Sequence, residues 1–208
     1  MKTLINIQEG MLEETLGLHL QMVLGIWVNG NTYWLYNQNE KIITREQITV
    51  NIKQEFVQSK VRLSHIHVTN HDEIEKEIKL LLIHRYAQAS KDHFTFISPS
   101  EQVIFHLANK KVFLVNGHFE GNYIQQATIQ PFWTMNTEKM WNCPDKGILK
   151  YQPMAKGLAV SMFTLDLAIP SHATKKASTW TIQGESKNEL AKVNDALLKN
   201  TLAFPFKK

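Results

Sequence analysis

The sequence predicts an all-β (mainly) fold: a two-layer antiparallel β-sandwich completed by one C-terminal α-helix. Short segments in which apolar and polar residues alternate at period two recur through the middle of the chain. Turn residues, above all Asn29-Gly30 and Ser98-Pro99-Ser100, punctuate them. A single stretch with helical spacing closes the sequence. With 208 residues, 43% of them hydrophobic and 20% charged, residues 1–208 fit one domain with a sizeable core, its strands within 18–183 and its helix over 186–203. Only nine Gly and six Pro are present, which argues against a disordered or fibrous chain.

The first strand is expected from Leu18 to Val28, turning at Asn29-Gly30-Asn31 into Thr32 to Tyr36. Asn-Gly between two apolar runs is the strongest short hairpin signal, because both residues tolerate positive φ. Strands follow at 42–52 and 60–69. In the latter, Val61, Leu63, His65, His67 and Thr69 share one face, and Arg62, Ser64, Ile66 and Val68 the other. The stretch from Glu73 to Tyr86 is ambiguous. Its Glu, Lys and Leu content favours a helix, yet Ile74, Lys76, Ile78, Leu80, Leu82 and His84 fall on one face of a strand. Short strands are expected at 93–97, 102–107 and 111–115, with turns at Ser98-Pro99-Ser100, Ala108-Asn109-Lys110 and Asn116-Gly117. Strands at 123–131, 158–169 and 177–183 complete the set, a series of short strands typical of a sandwich or barrel. Ser186 and Glu189 then form a capping box, and Leu190, Val193, Leu197 and Thr201 or Leu202 an apolar helical stripe that Pro205 ends.

Composition narrows the function classes. The net charge of +4 permits an acidic partner, but the 23 Lys and Arg are scattered, with Lys175-Lys176 and Lys207-Lys208 the densest pairs. No basic stripe interleaved with aromatics appears, so no nucleic acid is expected as a partner. Cys143 is the sole cysteine, which excludes an internal disulfide framework and a Cys-based zinc site. The segment Met1 to Gly10 lacks the apolar run of a signal peptide, and Met22 to Val28 is too short to span a bilayer, so no membrane partner is expected and the expectation is a cytoplasmic protein. No glycine-rich phosphate cradle occurs, and no cofactor is expected.

Four stretches stand in a familiar order. They are Gly25-Ile26-Trp27-Val28-Asn29-Gly30 with Tyr33-Trp34-Leu35; Val68-Thr69-Asn70 with Glu77-Ile78-Lys79-Leu80; Ser98-Pro99-Ser100-Glu101-Gln102-Val103-Ile104-Phe105-His106 with Lys111-Val112-Phe113-Leu114; and Ala155-Lys156-Gly157-Leu158-Ala159-Val160-Ser161-Met162-Phe163 with the run from Trp180 to Leu190. In this order the chain resembles the N-terminal β-sandwich domain of bacterial glucoamylases and glucodextranases, the family-fifteen glycoside hydrolases. The resemblance implies a supersandwich-like fold, and makes Glu73 to Tyr86 a strand. The chain departs from the family in three places. The opening strand pair is shortened before residue 18, and Asn142-Cys143-Pro144-Asp145-Lys146-Gly147 stands where the family has an acidic segment. The sequence also ends at Lys208, where the family continues into the helical barrel that carries its paired glutamates. Glycoside hydrolysis needs one carboxylic acid on the leaving oxygen and a second carboxylate across the ring. The resemblance therefore implies a non-catalytic domain that associates with another protein, a separate carbohydrate-active catalytic subunit or a second copy.

Three sets of residues are candidates for chemistry. His65 and His67, at i and i+2 on one strand face, would form part of a metal site if His84 or His106 supplied a third ligand. Two half-exposed histidines without a metal is the commoner arrangement. Cys143 paired with a histidine would be a nucleophile candidate, although no flanking motif of a cysteine hydrolase surrounds it; His65, His67, His84 and Cys143 together would be the site of an unrecognised enzyme. Trp27, Tyr33, Trp34, Tyr36, Trp133, Trp141 and Trp180 are many aromatics for one domain, and most such rings bury in a sandwich. Trp34, Tyr36, Trp133 and Trp141 are the candidates for an exposed surface that stacks on an oligosaccharide, the basis of the alternative reading as a free-standing glycan-binding module.

Overall fold

Asn29 and Gly30 take φ of 49° and 77° and turn β1 (Leu20–Val28) back onto β2 (Asn31–Leu35), as the Asn-Gly pair predicts. The structure, a computed structural model, describes residues 20–57, 60–88, 90–135 and 137–203, and of 200–203 the backbone. The expected start of the first strand at Leu18-His19, the helix contacts of Thr201 or Leu202, the stop at Pro205 and the Lys207-Lys208 pair lie outside the described residues or side chains.

The hairpin belongs to a five-stranded antiparallel sheet in the order β10 (Ala127–Pro131), β14 (Ala159–Ile169), β6 (Lys76–Tyr86), β1, β2. Facing it is an eight-stranded antiparallel sheet in the order β13 (Met154–Lys156), β7 (Phe94–Ser98), β8 (Val103–Ala108), β9 (Lys111–His118), β15 (Thr174–Gly184), β5 (Val61–Asn70), β4 (Ile48–Val57), β3 (Glu40–Ile43). A ribbon of β11 (Trp141–Cys143) and β12 (Ile148–Leu149), and a helix α1 (Lys187–Ala203), complete the described residues' regular elements, apart from short 3₁₀ turns. The fold is the mainly β sandwich with a C-terminal helix that the alternation predicts.

Apolar side chains form three layers. Ile26, Leu80, Leu82 and Leu165 from one sheet meet Val50, Ile66, Val68 and Phe113 from the other in the central core. On the outer face of the larger sheet, Phe105, Leu114, Trp180 and Ile182 are covered by Leu190, Val193 and Leu197 of α1, which confirms the helical stripe. On the outer face of the smaller sheet, Leu81, Ile83, Val160 and Met162 lie beneath Met135, Met140 and Leu149 of the segment joining β10 to β13. β6 thus has apolar neighbours on both faces, which decides its conformation. Burying Ile78, Leu80 and Leu82 inward and Leu81 and Ile83 outward outweighs a helix propensity difference of a few tenths of a kcal/mol per residue, roughly.

Four local expectations are corrected. The strand expected at 42–52 is broken after Ile43 by a 3₁₀ turn at Thr44–Glu46, with Gln47 in the left-handed region (φ 52°). Glu46 is buried there because its carboxylate accepts from Tyr33 Oη at 2.8 Å and from Asn29 Nδ2 at 3.0 Å, tying the turn to the first hairpin. Asn116-Gly117 is not a turn, since β9 continues to His118. Gly117 is required by close approach instead, because a Cβ there would lie 2.8 Å from the Phe163 ring. Residues 123–126 precede β10 rather than belong to it. Finally, the capping box closes differently: Glu189 N–H donates to Ser186 Oγ at 3.3 Å as expected, but Glu189 Oε2 accepts from Glu185 N–H at 3.3 Å rather than from Ser186 N–H.

Gly25 holds a second close approach. Trp34, its partner on β2, lies across it so that a Cβ would fall 2.5 Å from the indole ring. Gly25→Ala is therefore expected to destabilise the domain by about 1–3 kcal/mol through displacement of that ring. The shift in urea midpoint is the check, and an unchanged midpoint would show that the ring moves aside freely.

Candidate functional site

The histidines and the cysteine named by the sequence do not converge. His65 and His67 share one face of β5, as expected, and that face is the outer one of the larger sheet, opposite to inward-facing Ile66 and Val68. His65 Nδ1 pairs with Ser178 Oγ at 2.9 Å, and the neighbours in register are Lys53 beside His65 and Lys176 beside His67. Partial burial and the Lys176 ammonium push both imidazoles below the ordinary histidine range, and this positive surrounding opposes a cation. His84 and His106 are buried between the sheets, and Cys143 sits on the ribbon beyond the smaller sheet. The five are spread over three layers. Among the described residues no group of three His, Cys, Asp or Glu side chains is placed to hold a metal ion, and no helix is long and apolar enough to cross a membrane.

The aromatic candidates divide. Trp34 and Trp141 are partly buried in the layer over the smaller sheet, with Trp27. Tyr36 stands beside Trp34, ring centroids 6.4 Å apart and planes inclined by 33°, and is exposed. Trp133 projects from a 3₁₀ turn after β10 and is 69% exposed. The four do not present one flat platform. What the structure brings together instead is an apolar margin: Phe132 and Trp133 follow β10, Tyr151 and Met154 lead into and occupy β13, and Leu158 precedes β14. These segments run side by side, because Phe132 N–H donates to Leu158 C=O at 2.9 Å and Ile129 N–H to Gln152 C=O at 2.8 Å. Arg85 stacks its guanidinium 5.1 Å from the Phe132 ring centre. β10 and β13 are the terminal strands of the two sheets, and the Ile129–Gln152 bond joins them along this side, so the margin lies over the seam between the two layers.

A groove of about 380 Å³ opens at one end of the sandwich. One wall is a row across three strands of the smaller sheet, in which Trp27 pairs with Lys79 and Lys79 with Asp166. The opposite wall is the tight turn after β9, where Phe119 and Asn122 exchange backbone hydrogen bonds at 2.9 and 2.7 Å and Gly121 takes φ 87°. His118 Nε2 accepts from Gly121 N–H at 2.9 Å and braces that turn. Lys79 Nζ is 2.7 Å from Asp166 Oδ2 and 6.0 Å from the Trp27 ring centre, while Glu120 pairs with Lys175 at 2.5 Å. Trp27 Nε1 donates to Pro144 C=O at 2.9 Å, which fixes the indole. Glu77, exposed, completes the rim. No local motif announces this site, because its residues come from β1, β6, β14 and the turn after β9. The visible trace in the sequence was the polar alternation of Glu77 and Lys79 on a strand whose other face is apolar.

No family model matches the chain, and no curated protein matches it by sequence. Among solved structures, the chain is similar to part of a polysaccharide lyase at 9% identity and a TM-score of 0.48, over 82% of this chain and 26% of that one. It is similar to part of a kojibiose phosphorylase from the human microbiome at 12% identity and a TM-score of 0.45, over 90% of this chain and 26% of that one. A third similarity is to a family GH92 alpha-mannosidase from Bacteroides thetaiotaomicron, at 7% identity and a TM-score of 0.41, over 87% and 26%. The chain thus spans about a quarter of the length of the solved structures it matches, and these neighbours are carbohydrate-active proteins.

Proposed function

We propose that this chain is a non-catalytic β-sandwich domain of a carbohydrate-active system that docks onto a protein partner, in the manner implied by the resemblance to the glucoamylase N-terminal domain. The observation that supports it is the apolar margin of Phe132, Trp133, Tyr151, Met154 and Leu158, each at least 48% exposed, on adjoining segments at the edges of both sheets. Single exposed apolar side chains are ordinary on a folded surface, whereas Phe132, Trp133 and Leu158 stand on two segments joined by the Phe132–Leu158 bond, with Tyr151 and Met154 on the adjoining stretch, a composition that favours a contact surface. Trp133, with the largest exposed ring, is the expected anchor.

The test measures association directly. Sedimentation of the chain at increasing concentration, and capture from its native host, are expected to give a dimer or one stable heterologous complex. Trp133→Ser with Leu158→Ser is expected to weaken that association by at least tenfold, roughly, because anchor truncation costs on the order of 2 kcal/mol. Both positions are exposed, so the folded state survives the change. A monodisperse monomer that captures nothing, or a complex indifferent to the double substitution, would remove this reading.

A further inference from the structure

Beyond docking, the groove at the other chemistry-bearing end of the fold has a use of its own. We propose that it is a binding subsite for a neutral hexopyranose unit, one or two rings in length, seated against Trp27 and hydrogen-bonded by Lys79, Asp166, Glu77 and Asn122. The argument starts from size. A volume of about 380 Å³ lies at the small end of the roughly 300–1,000 Å³ typical of small-molecule sites, which limits the occupant to a short saccharide.

The lining has the mixture that a sugar requires. A pyranose offers hydroxyl groups around its rim, each both donor and acceptor, and an apolar face of C–H groups. Carboxylate and amide oxygens accept from the first, an ammonium donates to them, and an aromatic ring covers the second. Here the polar groups are already held in place. Asp166 is fixed by Lys79 at 2.7 Å, Lys79 is packed beside Trp27, and Trp27 is anchored by its bond to Pro144 C=O. Gly147, at φ 59°, allows the covering loop to press onto that pair, since a Cβ would lie 2.9 Å from both the Lys79 side chain and the Trp27 ring. Groups oriented before binding lose less entropy when a ligand arrives.

Charge selects the class of sugar. Glu77, Glu120 and Asp166 carry three negative charges, against the ammonium groups of Lys79 and Lys175 paired with two of them, leaving one carboxylate in excess. A uronate or sugar phosphate would be repelled by that excess, and a neutral sugar would not. The exposed Glu77 supplies the free acceptor.

The experiment is titration of the ¹⁵N-labelled chain with glucose, maltose, cellobiose and mannobiose, and with digalacturonate as the anionic control, followed by NMR. The indole N–H of Trp27 and the backbone of 77–79, 119–122 and 166–168 are expected to shift saturably with at least one neutral sugar, at a Kd of about 1 mM or tighter. Digalacturonate is expected to bind at least tenfold more weakly, roughly one charge's worth of discrimination. Trp27→Ala is expected to abolish the shifts. Glu77→Gln, an exposed and isosteric change that leaves the fold intact, is expected to weaken binding by about fivefold to tenfold through loss of a charge-assisted hydrogen bond. Absence of saturable shifts with every neutral sugar, tighter binding of the uronide, or shifts confined to residues outside the groove would each overturn the proposal. None of these outcomes depends on the association measured at the apolar margin.

Discussion

Acidification from pH 7 to about 5 is expected to remove on the order of 2 kcal/mol of stability through His84 alone, before most carboxylates titrate, with His106 adding a loss of the same sign. The cause lies between the sheets. His84 faces inward from β6, stacked on Phe163 with centroids 5.8 Å apart, and burial pushes its imidazole down to about 3, with Arg62 adding to the effect. His106 is fully enclosed, its Nε2 paired with Ser161 Oγ at 2.8 Å and its Nδ1 within 3.2 Å of both Thr95 Oγ1 and His93 Nε2. Burial, and then the neighbouring His93 and His84, hold it well below the ordinary range. Each group stays neutral in the fold while its unfolded counterpart takes a proton near pH 6.5. The unfolded state therefore binds more protons below that pH, and the stability present above it is lost as the pH falls. The slope is about 1.4 kcal/mol per pH unit for His84, and His106 steepens it in the same direction. Urea midpoints measured at pH 7, 6 and 5 are the check. His84→Leu, which removes a buried ring nitrogen without a hydrogen-bond partner, is expected to flatten the dependence by one proton. A midpoint constant from pH 7 to 5 would contradict the burial of both imidazoles.

That polar band shows where sequence reading stopped. Alternation placed His84 on the inner face of its strand alongside Leu80 and Leu82, and the structure has it there. What it meets across the core, Phe163 and the His106–Ser161 pair, depends on sheet order and register, which no local signal carries. The same limit explains the metal candidate. The shared face of His65 and His67 was legible, whereas the lysines beside them come from β4 and β15. Local chemistry was reliable where one residue pair determined the backbone, as at Asn29-Gly30. It misled at Asn116-Gly117, because glycine serves close packing as readily as it serves turns, and the Phe163 ring that requires it lies on the other sheet. The groove was invisible for a related reason. Trp27, Lys79 and Asp166 form a row only after β1, β6 and β14 pair, and each alone reads as an ordinary strand residue.

Asn194→Leu is expected to cost about 2–4 kcal/mol, although it replaces a polar side chain by an apolar one in an apolar layer. Asn194 is 5% exposed on α1, and its Oδ1 accepts two bonds at 3.0 Å, from Trp180 Nε1 and from Asn116 Nδ2. Removing the acceptor leaves both donors unpaired beneath the helix, where water cannot replace it, and an orphaned buried donor costs more than the bond contributed. The exposed ion pair between Lys60 and Glu189 at 2.8 Å lies at the start of the same helix, and Lys60→Ala is expected to change little, because solvent already screens it. Urea unfolding followed by tryptophan fluorescence reports on both, since Trp180 sits in the affected layer. A large loss from Asn194→Leu with a small one from Lys60→Ala would show that the helix is held by its inner polar contact and the surrounding apolar packing. The reverse order would mean that surface charge docks it, which the burial of Asn194 argues against.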